Sequence, residues 1–154
     1  MNVRKIISGG QTGADRAALD FALAKGFEIG GFVPHGRVAE DGKIPDRYTN
    51  LTETPSSDPA ERTELNIVNS DATLIISNNE LAGGSRLTAS LVEFHKKSLL
   101  HIDLSIVQAE KAADAVRDWI GTNEFEVINV AGPRASEDPE IYHAVVDLLE
   151  RAFA

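Results

Sequence analysis

The sequence predicts an α/β fold in three layers: a mostly parallel five-stranded sheet with helices on both faces. Three observations predict it. Short apolar runs alternate with helical stretches along the whole chain. The run Ala72 to Ser77 is continuously apolar, as suits a strand buried on both faces of a parallel sheet. A glycine-rich turn, Ser8 to Gly13, stands between the first apolar run and the first helical stretch.

The first strand covers Val3 to Ile7, and its helix covers Asp15 to Lys25. Thr12 is placed to cap that helix, with Asp15 reaching back to the Thr12 N–H. The second strand covers Ile29 to Val33. A polar segment then runs from Pro34 to Pro59, too long for a plain connection. Its mix of Pro, Gly, aromatic and paired charged residues predicts an ordered lid or side wall of a site. Ser57-Asp58-Pro59 signals a helix over Ala60 to Asn69. After the third strand come helix Thr88 to Lys97, strand Leu99 to Leu104, and helix Ala109 to Ile120, closed by Gly121 at C′. The last strand covers Glu126 to Val130. The last helix starts near Asp138-Pro139 and carries Ile141, Val145, Leu148, Leu149 and Phe153 at helical spacing. No linker or internal repeat divides the chain, so residues 1–154 read as a single domain.

In such sheets the ligand sits at the carboxyl ends of the strands, at a topological switch point. Two of the loops expected there contain Gly-Gly, at Gly9-Gly10 and Gly83-Gly84. If both serve one ligand, the first and third strands are neighbours, which predicts the order 2-1-3-4-5.

Composition narrows the partners. The net charge of −9 argues against a nucleic-acid backbone. No apolar run is long enough to cross a membrane, and the N-terminus lacks a signal-peptide layout. Cysteine is absent, which excludes thiolate metal sites and a cysteine nucleophile and fits a cytoplasmic protein. The four histidines have no ligand spacing, so no side-chain metal site is expected.

A glycine turn between strand and helix frees backbone N–H groups and aims a helix N-terminus at an anion, most often a phosphate. The dinucleotide fingerprint is incomplete here: position 8 is Ser, and no carboxylate ends the second strand. The P-loop pattern fails too, since no Gly-Lys-Ser/Thr follows. The expected ligand site takes Gly9, Gly10, Gln11, Thr12, Gly13, Asp15 and Arg16 from the first turn. It takes Gly83, Gly84, Ser85 and Thr88 from the second. Arg37 and Arg134 each directly follow a strand end and are the expected neutralising forks. Of the six arginines in or beside these loops, Arg16, Arg37, Arg47, Arg62, Arg86 and Arg134, about half are expected to be purely structural partners of nearby carboxylates.

Four stretches together resemble a known family. They are Ser8 to Arg16, Gly36-Arg37-Val38-Ala39-Glu40-Asp41-Gly42, Arg62-Thr63-Glu64-Leu65-Asn66, and Asn129-Val130-Ala131-Gly132-Pro133-Arg134. In this order they are similar to the molybdenum-carrier family, the circularly permuted YpsA-like branch of the SLOG superfamily. The resemblance implies a Rossmann-like domain that binds a phosphorylated, nucleotide-like small molecule. The carrier name implies molybdenum cofactor, a pterin bearing a phosphate, held without catalysis. It also implies self-association into a homo-oligomer. Relatives in the wider superfamily cleave the sugar–base bond of nucleoside monophosphates, which sets a nucleotide hydrolase (N-glycosidase-like) as the alternative. Their signature resembles Pro-Gly-Gly-x-Gly-Thr-x-x-Glu. Here Ala82 replaces the proline, the third glycine is missing, and Leu91 stands where the glutamate would be. No catalytic residue carries over; Glu80, Glu93 and Asp103 are the acid/base candidates that the alternative would need.

Overall fold

The computed structural model describes residues 1–154 and places a six-stranded parallel sheet between two layers of helices. The chain begins with β1 (Lys5–Ile7), α1 (Ala14–Lys25) and β2 (Glu28–Val33). The long segment then forms a short 3₁₀ turn (His35–Arg37), a hairpin of β3 (Val38–Ala39) and β4 (Gly42–Lys43), and β5 (Leu51–Glu53). Next come α2 (Pro59–Val68), β6 (Ala72–Ser77), α3 (Gly83–Phe94), β7 (Ser98–Asp103), α4 (Ala109–Asn123), β8 (Val127–Ala131) and α5 (Ile141–Ala152). Helices α1, α4 and α5 pack together on one face, and α2 and α3 on the other. β6 is buried at every position, its polar Thr73 and Ser77 included, as a strand covered on both faces must be.

The strand order is β5-β2-β1-β8-β6-β7, and every neighbouring pair is parallel. Two expectations change. The sheet has a sixth strand, β5, paired to the outer edge of β2. The first and third expected strands do not touch, because β8 lies between them, bonded to β1 on one side and β6 on the other. Periodicity identifies strands but carries no information about their neighbours. The ends shift as well. Helix α3 starts five residues earlier than expected, so Gly83-Gly84 forms its first turn. Helix α4 runs through Gly121 and stops where Glu124 turns left-handed at φ 56°. Helix α5 begins at Ile141, after Asp138 has accepted hydrogen bonds from the Glu140 and Ile141 N–H groups.

The segment from Pro34 to Pro59 is ordered by burial: Ile44 and Tyr48 are fully buried and join the main core. Tyr48 donates a hydrogen bond to Asp20 Oδ1 on α1 at 2.7 Å, and Tyr142 on α5 donates to Asp20 Oδ2. Burial and the Asp20 carboxylate push the Tyr142 phenol up to about 12 and the Tyr48 phenol higher still. This node fastens the segment to the α1/α5 face.

Candidate functional site

The β1–α1 turn is closed from within. Ser8, where the dinucleotide fingerprint has glycine, donates its hydroxyl to the Asp15 carbonyl at 2.9 Å. Gly10 and Gly13 adopt φ 74° and 78°. A Cβ at Gly13 would meet the Pro133 carbonyl oxygen at 2.5 Å, so the loop after β8 crosses directly over the start of α1. The capping box does not form. Asp15 Oδ2 accepts from the Gln11 N–H at 3.2 Å, and the Thr12 hydroxyl accepts from Ala135 N–H at 3.1 Å while donating to Glu40. The N–H groups of Gly10, Gln11, Thr12 and Ala14 all have partners inside the protein: the Ser8 hydroxyl, Asp15, the Gln11 side chain and the Pro133 carbonyl. The Gly9, Gly13 and Asp15 N–H groups have no such partner.

The α3 N-terminus also presents free donors. The Gly83 and Gly84 N–H groups have no hydrogen-bond partner, and no side chain caps the helix. Ser85 is 9 % exposed, and its hydroxyl is also unpartnered. Thr88 instead returns its hydroxyl to the Gly84 carbonyl at 2.9 Å. These residues face a cavity of about 290 Å³ at the carboxyl end of the sheet, where the connections leaving the neighbouring strands β8 and β6 go to opposite faces. The floor is Asn129, Val130, Ala131 and Gly132 of β8 and its exit; one wall is Pro59, Arg62, Thr63 and Asn66 of α2. Gly132 admits no side chain, since a Cβ there would lie 2.3 Å from the Ile76 carbonyl oxygen. Two of the 17 lining residues are hydrophobic, so the cavity suits a polar ligand.

Charge in the cavity is paired. Arg62 Nη1 donates to Asp15 Oδ2 at 3.2 Å, Nε donates to the Pro59 carbonyl, and Nη2 has no partner. Burial raises the Asp15 carboxyl above its usual range, and Arg62 and the Gln11 N–H oppose that rise. Arg134 donates Nε to Glu137 at 3.2 Å and lies 3.9 Å from Glu40. The loop after β8 is itself tethered: Glu40 accepts from the Ser136 N–H and hydroxyl, and Asn78 donates to Asp138 at 2.8 Å. The Ser136 and Thr12 hydrogen bonds lower the Glu40 carboxyl. Buried Asn129 donates Nδ2 to Thr73 at 3.2 Å, leaving Oδ1 without a partner.

Eight of the expected ligand residues line the cavity: Gly9, Gln11, Asp15, Gly83, Gly84, Ser85, Thr88 and Arg134. Five do not. Gly10 and Gly13 pack against Ile44 and the Pro133 loop, and Thr12 links Glu40 to Ala135. Arg16 forks onto Asp41 at 2.5 and 2.8 Å. Arg37 donates to the carbonyls of Ile44, Pro45 and Tyr48, which clamps the long segment. That segment contributes nothing to the cavity wall before Pro59; it acts from behind, through Glu40. Arg62, one of the six arginines in or beside the expected site loops, both pairs with Asp15 and faces the cavity. Asn66, one helical turn on, shares its face of α2 and also holds both backbone groups of Phe32. Glu80 and Asp103 border a separate depression beside β7, and Glu93 lies exposed near the end of α3. No group of three or more His, Cys, Asp or Glu residues is arranged to hold a metal ion, and no helix is long and apolar enough to cross a membrane.

The chain is similar to a crystal structure described as a "Putative molybdenum carrier protein" from Syntrophus aciditrophicus. The two share 53 % identity and a TM-score of 0.97, over 99 % of this chain and 96 % of that one. No curated protein matches the sequence significantly. The model of the circularly permutated YpsA SLOG family matches residues 6–153, nearly the whole length, including the turn, the α2 wall, the α3 terminus and the β8 exit that build the cavity. With its Rossmann-like sheet and that match, the chain belongs to the circularly permutated YpsA SLOG family.

Proposed function

We propose that residues 1–154 act as one binding domain that holds a phosphorylated, nucleotide-like small molecule and carries it unchanged, with molybdenum cofactor as the leading cargo. The observation that carries this reading is the α3 N-terminus: two free N–H groups and the unpartnered Ser85 hydroxyl open into a polar cavity. Arg62 Nη2 and Asn129 Oδ1 supply a further donor and an acceptor for the rest of the ligand.

The magnitudes fit binding of a phosphorylated ligand, and retention needs the contacts beyond the phosphate. A helix terminus contributes about 0.3–1 kcal/mol and each charge-assisted hydrogen bond about 1.5–3 kcal/mol. Millimolar binding needs about 4 kcal/mol and micromolar about 8. The terminus, Ser85 and one arginine reach the millimolar range, and contacts to the ring system of a larger cargo extend it.

Native mass spectrometry of the purified protein tests the reading, by comparison with its mass after denaturation. An added mass matching a phosphorylated pterin or a nucleotide, reduced in Ser85→Ala, is the expected result. Release of free base from a nucleoside monophosphate would sink the carrier reading in favour of the hydrolase. A bare protein that no phosphorylated probe stabilises would sink both.

A further inference from the structure

The seat at the α3 N-terminus already has an anion beside it, and that anion belongs to the protein. Glu137 Oε1 accepts from the Arg134 N–H and Nε, both at 3.2 Å, which fixes the carboxylate on the loop after β8. Its other oxygen, Oε2, points across the cavity. A carbon added at Gly83 would lie 3.5 Å from it, and no other heavy atom would be as close. Gly83, Gly84, Ser85, Arg134 and Glu137 all line the same space. The free N–H groups and the unpartnered hydroxyl of Ser85, open to the cavity, attract negative charge there, and Glu137 meets that attraction without making the hydrogen bonds.

We infer that Glu137 is a built-in competitor for the anion seat, setting an affinity threshold that free inorganic phosphate does not pass. The inference rests on the anion site proposed above. An incoming phosphate must displace the carboxylate or accept its repulsion, and it also takes over a share of Arg134. A ligand with contacts along Arg62 and Asn129 offsets that cost; a bare phosphate has nothing beyond the seat to offset it with. The loop that carries Glu137 is held at Ser136 by Glu40 and at Asp138 by Asn78, so the carboxylate yields by rotating its side chain.

Calorimetric titrations of wild type and Glu137→Gln with inorganic phosphate, GMP and guanosine test this. The variant is expected to bind phosphate and GMP at least about tenfold tighter, by a common factor, with guanosine unchanged. The gain is expected to persist in the Arg134→Ala background, because the seat is emptied whether or not Arg134 is present. A gain that vanishes there means that Glu137 acts only by neutralising Arg134, and overturns the inference. A gain shared by guanosine overturns it as well. Equal affinities in wild type and Glu137→Gln, with GMP binding still weakened by Ser85→Ala, overturn the competitor and leave the site standing. No binding of phosphate or GMP to any of these proteins overturns site and competitor together.

Discussion

Arg62 lies across Gly9: a Cβ at position 9 would sit 1.5 Å from Arg62 Nη1, the same nitrogen that holds Asp15 at 3.2 Å. The absent side chain of Gly9 is therefore what lets an arginine from α2 reach a carboxylate on α1 across the carboxyl end of the sheet. The pair is nearly enclosed, with side chains 13 % and 9 % exposed.

Removing one partner of such a pair leaves the other charge stranded. Arg62→Ala is expected to lose about 3–5 kcal/mol of stability by chemical denaturation at neutral pH. Gly9→Ala is expected to act in the same direction but by less, since the guanidinium can swing aside. If Arg62→Ala unfolds at the wild-type denaturant midpoint, the pair is not the strut described here.

Asp15 sets a pH dependence of unusual sign. Its folded carboxyl titrates above the usual 3.8, so between the two values the folded protein holds more protons than the unfolded chain. Its contribution to stability is full below the unfolded value and is lost as pH rises through the folded one. Glu40 and Asp41, whose carboxyls are lowered, act the opposite way and lose their contribution as pH falls. The stability of wild type minus that of Asp15→Asn isolates the first effect. Unfolding measured from pH 3 upward is expected to show this difference falling as pH rises through the acid range and then levelling. A difference that climbs with pH would contradict the burial of Asp15.

Arg37 and Ser85 are expected to separate stability from binding. Arg37→Ala deprives three backbone carbonyls of their donor and is expected to cost about 1–3 kcal/mol, leaving the mass of any retained ligand unchanged. Ser85→Ala is expected to do the reverse: near-wild-type melting of the ligand-free protein, and weaker retention. Loss of ligand in a folded Arg37→Ala protein would return Arg37 to the site.

Five of the six sheet strands and all five α-helices are readable from periodicity, because each buries a face whose spacing is written in the chain. β5 is not, since Leu51–Glu53 is three residues long and two of them are exposed. The place of β8 is not readable either. Val127–Ala131 is apolar wherever it sits, and it is the close approaches at Gly13 and Gly132 that fit its exit over α1 and β6. The candidate site divides in the same way. Gly83 to Ser85 and Arg134 are legible as a glycine turn and a strand-end arginine. That the first glycine turn is partly satisfied from within is not legible, because the Pro133 carbonyl that takes the Ala14 N–H comes from a distant part of the chain. The role of Arg62 depends on Gly9 in the same non-local way.

The central position of β8 also orders events during synthesis. Before Val127–Ala131 emerges from the ribosome, β1 with β2 and β5 forms one half-sheet and β6 with β7 another. Nothing hydrogen-bonds the halves to each other, and each presents an apolar inner edge at β1 or β6. The nascent chain therefore cannot close its sheet or assemble the cavity until β8 has been made. A stop codon just ahead of β8 would yield two sticky fragments on one polypeptide rather than a slightly shortened domain, a product for chaperones and proteases to clear.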